Sequence, residues 1–241
     1  MKLYNEKARV YHDLYKDIFD YAHEFNLFND LFLKNYNVKK ILELGCGSGS
    51  LTKYFLKHYD CIGLDLSSDM IKIAQEINPD GTFIQGDMRN LPSKLNNQFD
   101  AAVCTGRSFT HLTTNRDCID CCESVNRVLK PGGWFVFDNF YAEAIFTNFK
   151  SETTHESKYI TRKSKSKTLL EQGFTWQWHA EYLIRNDSGK VIDTFEDDTV
   201  LRAFTKDELI LFLMLAGYEA IQVQIDRENP ISLLSCGRKP M

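Results

Sequence analysis

A glycine-rich turn over residues 43–49 is the feature of the sequence that most directly indicates chemistry. It reads Glu43-Leu44-Gly45-Cys46-Gly47-Ser48-Gly49, follows a short apolar run and precedes a helical pattern. Glycine lets the main chain adopt a positive φ and come close to a ligand. Asp65 ends the next apolar run, where a carboxylate can accept hydrogen bonds from both hydroxyls of a ribose. These residues predict a site for a nucleoside-containing cofactor.

The glycine spacing separates this turn from other nucleotide-binding loops. A nicotinamide-binding turn reads G-x-G-x-x-G, and its third glycine is missing here from either possible start. The phosphate-binding loop G-x-x-x-x-G-K-[ST] does not occur in the sequence. Glu43 would repel a pyrophosphate but suits the cationic end of a ligand, such as an α-amino group or a sulfonium. A purely structural role for Glu43, orienting the turn, is the alternative.

Length, composition and charge are those of an ordinary globular protein. The 241 residues, 43% hydrophobic and 26% charged, suit one domain with an elaboration. We expect N-terminal helices and a cofactor-binding core over 1–149, an inserted sheet over 150–203, and a completion of the core over 204–241. The net charge of −4 argues against DNA as a partner. The sequence has no apolar run long enough to cross a bilayer and no signal-peptide pattern, so we expect no membrane association.

The seven cysteines lack the spacing of a disulfide framework. Cys118, Cys121 and Cys122 fall inside a helical pattern without a second pair of ligands, so small apolar core residues are the better interpretation than a metal site. We therefore expect reduced thiols, a cytoplasmic protein and no metal.

Strand and helix patterns alternate between residues 4 and 140. We predict one or two helices over 4–36, further helices over 50–58, after Ser67 and over 115–129, and strands at 39–44, 60–65, 82–85, 99–104 and 134–138. This alternation predicts a doubly wound α/β sheet with right-handed crossovers. Ligands of such sheets bind at the carboxyl ends of the strands, where the glycine turn, Asp65, Asp87 and the loop 104–111 would meet.

The pattern changes after residue 150. Residues 174–185 alternate between apolar and polar side chains, residues 186–189 form a turn signal, and 191–204 would return antiparallel. Thr205 and Glu208 then predict a capping box for a helix that ends at Gly217. Strands at 218–225 and 231–236 follow and are close enough to pair antiparallel.

Four motifs, taken in order, resemble those of the class I S-adenosylmethionine-dependent methyltransferases that act on small molecules. They are residues 43–49, 63–67, 85–88 and 129–133. The resemblance implies a seven-stranded Rossmann-like sheet, mostly parallel with an antiparallel last strand, and an inserted antiparallel sheet that serves as a substrate lid. It also implies S-adenosyl-L-methionine as cofactor, S-adenosyl-L-homocysteine as product, and in-line methyl transfer to nitrogen or oxygen of a small acceptor.

The resemblance also assigns cofactor contacts. Asp65 matches the acid that binds the ribose, and Asp87 matches the acid that contacts adenine, with a turn-forming acid as the alternative for Asp87. The segment from Tyr11 to Tyr15 is similar to an aromatic helix that closes over the methionine end of the cofactor; packing within its own helix is the alternative. For Met70 the alternative is core packing. The predicted cofactor-binding residues are Tyr11, Tyr15, Glu43, Gly45, Cys46, Gly47, Gly49, Asp65, Leu66, Met70, Asp87, Met88, Cys104 and Ser108.

The main candidate for the site of the methyl acceptor is His111, which follows the strand at 99–104. The ordinary pKa of a histidine lies near neutrality. We predict it as general base and substrate contact; a loop histidine bonded to the backbone is the alternative. Trp176, Trp178 and His179 are further predicted substrate contacts, with a lid core for the tryptophans and a solvated face for His179 and Glu181 as alternatives. The basic run over 158–167 could attract an anionic substrate, for example a nucleotide-linked one, or form a solvated segment.

Two other functions stay open. A tRNA or protein methyltransferase would share the cofactor site, although the sequence lacks the Asn-Pro-Pro-Tyr-type motif of many such enzymes. A non-catalytic scaffold would bind the cofactor without transferring the methyl group. The sequence does not determine the acceptor or the oligomeric state.

Overall fold

The computed structural model of the protein describes residues 1–169 and 173–241, and these residues contain two β-sheets. The strands, in chain order, are β1 (Lys40–Leu44), β2 (Asp60–Asp65), β3 (Thr82–Gln85), β4 (Phe99–Cys104), β5 (Leu129–Phe140), β6 (Glu152–Glu156), β7 (Ile160–Thr168), β8 (Thr175–Arg185), β9 (Val191–Arg202), β10 (Glu219–Ile225) and β11 (Ser232–Arg238). The helices are α1 (Ala8–Ile18), α2 (Tyr21–Leu31), α3 (Thr52–Phe55), α4 (Ser68–Ile77), α5 (Asn115–Val128), α6 (Ala142–Thr147) and α7 (Lys206–Leu215).

The large sheet has the strand order β10-β11-β5-β4-β1-β2-β3 within the described residues. β1, β2, β3, β4 and β5 run parallel to one another, whereas β11 lies antiparallel between β5 and β10. The predicted doubly wound fold, with its antiparallel last strand, is therefore confirmed. Because β1 lies between β2 and β4, the segments that follow these three strands meet at one edge of the sheet.

Helix boundaries follow local capping chemistry. The Ser67 side chain accepts a hydrogen bond from the main-chain nitrogen of Met70 and begins α4. Thr205 and Glu208 form the predicted capping box of α7. Asp20 accepts from the nitrogen of His23 and separates α1 from α2. These caps explain why helices begin where polar side chains interrupt the apolar pattern.

One predicted helix is shorter than expected. The pattern over residues 50–58 forms only the four-residue α3, Thr52–Phe55, followed by turns. Main-chain hydrogen bonds from Lys57 to Tyr54 and from His58 to Phe55 span three residues and tighten the end of this segment.

An apolar core covers each face of the large sheet. One core packs the sheet against α5 and α7 and includes Phe135, Phe137 and Leu209. The other packs the sheet against α2 and α3 and includes Phe28 and Phe55. All seven cysteines are buried free thiols. Among the described residues, no helix is both long and apolar enough to cross a membrane.

The second sheet is antiparallel, in the order β6-β7-β8-β9. The predicted hairpin is formed by β8 and β9, while most of the basic run over 158–167 lies in β7 and is a strand rather than an irregular solvated segment. Side chains alternate across a strand, so Arg162 and Ser164 are buried while Lys163 and Lys165 are exposed. The inner face of this sheet packs against α1 and the residues before it.

Candidate active site

The glycine turn joins the carboxyl ends of β1 and β2. Gly45, Gly47 and Gly49 all have positive φ, at 67°, 53° and 74°. The nitrogen of Gly47 donates to Asp65 Oδ2 at 2.8 Å, and the nitrogen of Ser67 donates to Asp65 Oδ1 at 2.8 Å. The Asp65 carboxylate thus fixes both the turn and the start of α4, and each oxygen keeps a lone pair for a further donor.

Two of these glycines also leave no room for a side chain. A Cβ atom at Gly45 would lie 2.5 Å from Ser108 Oγ, across the gap between β1 and β4. A Cβ atom at Gly49 would lie 3.0 Å from Ala74 Cβ, in α4, and 2.8 Å from Asn78 Nδ2, just after that helix. The turn therefore needs glycine for close packing as well as for its backbone conformation.

A cleft runs along this edge of the sheet, formed by two adjoining cavities that share Tyr11, Gly45, Gly47, Gly106 and Ser108. We call it the rim cleft. Its first end is lined by Phe19, Tyr21, Glu24, Glu43, Cys46, Ser48, Ser50, Leu51 and Thr105. Its second end is lined by Met1, Tyr4, Asn5, Asp65, Leu66, Ser67, Met88 and His111.

Aromatic side chains from the N-terminal segment cover the rim cleft. The rings of Tyr11 and Tyr15 stack with centroids 4.3 Å apart, and the Tyr4 ring lies 5.3 Å from Tyr11. His12 Nδ1 is 3.0 Å from Ser48 Oγ, which ties α1 directly to the glycine turn. The Ser67 hydroxyl donates to the carbonyl of Tyr4. These contacts hold α1 over the cleft from both ends.

Glu43 and Asp65 are two of the acids that line the rim cleft, and both have raised pKa values. Glu43 is 2% exposed, and burial, reinforced by the nearby Asp65 charge, raises its pKa to about 8. Its Oε2 atom has no hydrogen-bond partner among the described residues. Burial also raises the pKa of Asp65, although hydrogen bonds from Ser67 and Gly47 oppose the change. Carboxylates in such surroundings are stabilised by a ligand that brings positive charge or hydrogen-bond donors.

His111 lies at the second end of the rim cleft and also lines another cavity. That second cavity, which we call the lid cavity, is bounded by His111, Thr113, Gln177, Asp198, Thr199 and Val200, with Met1. It lies between the edge of the large sheet and strands β8 and β9. The His111 imidazole packs edge-on against Tyr4, with ring centroids 5.5 Å apart, and burial lowers its pKa to about 4. The imidazole is therefore neutral at physiological pH.

Comparison with known proteins agrees with this geometry. A family model described as "Methyltransferase domain" matches residues 41–133, which contain the glycine turn, Asp65, Asp87 and His111. DesVI of Streptomyces venezuelae superimposes with a TM-score of 0.82 at 26% identity, and the alignment covers 98% of both chains. The family-model match and the structural superposition together support a class I S-adenosylmethionine-dependent methyltransferase.

Two further relatives have informative names. The dTDP-3-amino-3,4,6-trideoxy-alpha-D-glucopyranose N,N-dimethyltransferase of Streptomyces venezuelae is 27% identical, covering 82% of this chain and 83% of its own. The structure of S-adenosylmethionine-bound CalS10, an amino pentose methyltransferase from Micromonospora echinaspora, shares the fold with a TM-score of 0.78 at 22% identity. Its alignment covers 95% of this chain and 97% of the CalS10 chain. The protein itself is thus an enzyme, and it uses S-adenosylmethionine as its cofactor.

The rim cleft of the methyltransferase fits that cofactor. The unpartnered Glu43 oxygen suits a cationic group, the glycine turn leaves main chain open at Gly47, and Asp65 has acceptor capacity for hydroxyl groups. Of the predicted cofactor contacts, the structure brings most to the rim cleft: Tyr11, Glu43, Gly45, Cys46, Gly47, Asp65, Leu66, Met88 and Ser108. Cys46 nevertheless has its side chain in a small apolar cluster with Ile71 and Phe83.

Besides Asp87, four predicted contacts lie outside the cleft lining, within the described part of the chain. Met70 is fully buried beside Ala8 and Ile73, so its core-packing alternative is the one that the structure favours. Cys104 is fully buried beneath the rim, at the end of β4. Gly49 packs against α4, and Tyr15 stacks behind Tyr11. These residues support the cleft wall from behind.

Asp87 follows β3, at the same edge of the sheet as Asp65, but its carboxylate is already paired. Arg89 donates to Oδ1 from Nε at 3.0 Å and to Oδ2 from Nη2 at 2.6 Å, and it also reaches Asp117 at 2.7 Å. These hydrogen bonds lower the pKa of Asp87. Its neighbour Met88 lines the cleft instead. Any adenine contact by Asp87 therefore has to use the lone pairs that Arg89 leaves.

The predicted substrate contacts of the second sheet lie on its two opposite faces. Trp176 is buried against Phe140, Phe146 and Phe149, as expected for a lid core. Trp178 is partly buried on the same face, near Arg162.

His179 lies on the opposite, outward face with Glu181, and its Nδ1 is 3.0 Å from Asp198 Oδ1. Ligand atoms of His179, Glu181 and Glu196 lie within 4.8 Å of one another on that face, which is mostly exposed. Asp198 itself lines the lid cavity.

Sequence reasoning missed a buried acidic cavity next to the first end of the rim cleft. It contains Glu24, Asp138 and Asp226 with Arg107, and shares Phe19 and Glu24 with the cleft. Burial, together with the Asp138 charge, raises the pKa of Glu24 to about 7. These acids come from α2, β5 and the turn before β11, so no local spacing connects them in the sequence.

Proposed function

We propose that this methyltransferase transfers its methyl group to an amine nitrogen of a small molecule, and that the acceptor is an amino sugar of the nucleotide-linked type. The observation that carries the proposal is the position of His111, which lines both the rim cleft and the lid cavity. A neutral imidazole at the boundary of the two cavities suits a cationic donor on one side and an amine on the other. The relatives named as amino sugar dimethyltransferases support this acceptor class.

The proposed cofactor contacts follow the rim cleft. Asp65 would accept hydrogen bonds from the ribose hydroxyls, because its two oxygens keep free lone pairs beside the glycine turn. Leu66, Met88 and Tyr4 would bound the adenine, and Glu43 would face a cationic part of the cofactor. When bound, S-adenosylmethionine supplies a methyl group activated by a sulfonium. Tyr11 would close the site over the methionine end of the cofactor and exclude water.

His111 is proposed to orient the acceptor nitrogen; with a pKa of about 4 its imidazole is a weak general base. Because burial lowers its pKa to about 4, the imidazole stays neutral and does not repel a cation in the rim cleft. One ring nitrogen is free to accept a hydrogen bond from the acceptor N–H, which directs the nitrogen lone pair toward the rim cleft. Holding the acceptor in this orientation is the main contribution we assign to the protein.

The four-stranded sheet is proposed to be the substrate lid, which keeps the predicted division into 1–149, 150–203 and 204–241. Its edge at Gln177, Asp198 and Val200 walls the lid cavity opposite His111. The buried free thiols fit the predicted cytoplasmic location, since a reducing compartment keeps cysteines unpaired.

A methylation assay tests the proposal directly. A dTDP-linked 3-amino sugar and its 3-hydroxy analogue are each offered with isotope-labelled S-adenosylmethionine. We expect methylation of the amine and a product that carries up to two methyl groups. Turnover of the hydroxy analogue should be slower by at least about 100-fold.

His111→Gln is compared with His58→Gln, an exposed histidine that stacks on Phe25 away from the cleft. We expect kcat to fall at least about tenfold in the first variant and to stay unchanged in the second. Equal rates on the two sugars, or an unchanged kcat in His111→Gln, would contradict the proposal.

A further inference from the structure

Arg162 is a buried cation without a counter-ion. Its side chain comes from β7 and is 7% exposed, yet it forms no ion pair within the described residues. Nη1 donates to Tyr15 Oη at 2.5 Å, while Nε has no hydrogen-bond partner among residues 1–169 and 173–241. The guanidinium lies between the rings of Tyr15 and Trp178, at 5.6 and 5.3 Å. A buried charge is ordinarily paired, because its desolvation is expensive.

Arg202 provides a contrast within the same sheet. It is buried to a similar extent, at 4% exposure, and it is also placed over aromatic rings. However, its Nη2 donates to Glu208 Oε1 and to Asn115 Oδ1, both at 2.7 Å. Within the residues that the structure describes, one buried arginine of the sheet therefore has a carboxylate partner and the other has none.

The groups around Arg162 are mainly tyrosine hydroxyls, which can donate hydrogen bonds as well as accept them. Tyr182 is fully buried beside it, and its hydroxyl has no hydrogen-bond partner in the described part of the chain. Burial raises the pKa of Tyr4 and Tyr182, and the positive charge of Arg162 opposes that change in both, so both hydroxyls remain protonated. Asp197, an acid whose charge acts on both Tyr4 and Tyr182, already accepts from the nitrogens of Lys2 and Leu3 at 2.7 and 3.1 Å.

This cluster adjoins the rim cleft. Tyr15, which holds Arg162, stacks on Tyr11, and Tyr11 lines the cleft. Tyr4 lines the second end of the cleft and contacts His111. The two stacked rings of Tyr11 and Tyr15 therefore connect the lining of the cleft to Arg162.

We propose that Arg162, with the hydroxyls of Tyr15 and Tyr182, forms a subsite for an anionic group of the methyl acceptor, a phosphate or diphosphate. A guanidinium binds phosphate oxygens through two parallel hydrogen bonds, and aromatic faces keep its plane fixed. This inference rests on the proposed function, because the phosphate or diphosphate belongs to the nucleotide-linked acceptor proposed there. It adds the residue that distinguishes a phosphorylated acceptor from a neutral one.

Binding of dTDP and of thymidine to the complex with S-adenosylhomocysteine tests the subsite by isothermal titration calorimetry. We expect the wild type to bind dTDP at least about tenfold more tightly than thymidine, and Arg162→Gln to lose that difference. Arg162→Lys, which keeps the charge but not the planar fork, should retain part of it. Affinity of Arg162→Gln for S-adenosylhomocysteine should stay within about twofold of the wild type.

Lys163→Gln is the matched control, because Lys163 is the next residue of β7 and is exposed. It should bind dTDP as the wild type does. Equal binding of dTDP and thymidine by the wild type overturns the subsite, as does failure of both to bind. A parallel loss of S-adenosylhomocysteine affinity in Arg162→Gln would instead assign the guanidinium to the cofactor and also overturn it. If Arg162→Gln does not fold, the wild-type comparison and Arg162→Lys still decide.

These measurements concern binding alone. Failure of the subsite would leave amine methylation intact in the labelled-cofactor assay. Conversely, failure to methylate any amine would leave a difference between dTDP and thymidine unaffected.

Discussion

The contact between Gly45 and Ser108 yields a quantitative prediction about the rim cleft. In Gly45→Ala the new Cβ atom would lie 2.5 Å from Ser108 Oγ and 2.6 Å from Ser108 Cβ, at a φ of +67°. Overpacking of this kind costs about 1–3 kcal/mol, and the left-handed backbone costs about 1–2 kcal/mol for a residue with a Cβ atom. We therefore expect the free energy of unfolding to fall by about 2–5 kcal/mol.

Gly106→Ala separates the two contributions. Gly106 has a similar φ of +62° and also lines the cleft, but a Cβ atom there would meet nothing within 4 Å. It should therefore lose only the backbone contribution, about 1–2 kcal/mol. The double variant Gly45→Ala, Ser108→Gly removes the clash and should recover about 1–3 kcal/mol relative to Gly45→Ala alone.

Chemical denaturation measures the unfolding free energies, and calorimetric titration with S-adenosylhomocysteine measures the cleft itself. Because Gly45 and Ser108 bridge β1 and β4 under the cleft, Gly45→Ala should weaken this binding at least about tenfold, a change that the double variant partly reverses. If Gly45→Ala and Gly106→Ala proved equally destabilising, or if Ser108→Gly gave no recovery, the packing argument would be wrong.

Three further predictions concern the charged groups of the site. Asp65→Asn replaces one acceptor oxygen by an NH2 group and should weaken S-adenosylhomocysteine binding about 10- to 100-fold by calorimetry, since a charge-assisted hydrogen bond is worth about 1.5–3 kcal/mol; a change within twofold would remove Asp65 from the ribose. Burial lowers the pKa of His111 to about 4, so between about pH 6.5 and 4 the unfolded chain binds a proton that the folded chain does not. Over that pH range the free energy of unfolding of the wild type should fall by up to about 3 kcal/mol relative to that of His111→Gln. If denaturation at several pH values gave parallel stability curves for the two proteins, the burial argument would be refuted. Glu24 has its pKa raised to about 7, so the stability it costs grows from pH 4.5 to 7 and persists above; Glu24→Gln should raise Tm at pH 8 more than at pH 5, and an equal shift at both would show that Glu24 is ionised at no cost.

The parts of the site that were predicted from the sequence are those encoded locally. The glycine turn and Asp65 were recognisable because a strand, a turn and an acid occur at fixed spacing, and the structure joins them through the Gly47 to Asp65 hydrogen bond. Asp87 was recognisable in the same way, but its pairing with Arg89 was not, because that pairing depends on side-chain conformation and on Asp117 from α5.

Contacts between distant segments could not be predicted. Glu24, Asp138 and Asp226 meet only because α2 packs against the end of β5, and nothing in their spacing shows this. Arg162 was assigned to a basic run, although the alternation of a strand places it on the buried face while Lys163 is exposed. In a strand, successive side chains point to opposite faces, so the assignment of this segment as a strand decides which of its charged side chains are buried and which are solvated.

The most direct test of the account is a crystal structure of the protein with S-adenosylhomocysteine. We predict that the nucleoside occupies the rim cleft, with both ribose hydroxyls within hydrogen-bond distance of Asp65, Tyr11 over the bound molecule and His111 next to the sulfur. A ribose that makes no contact with Asp65, or a nucleoside bound outside the rim cleft, would contradict the account.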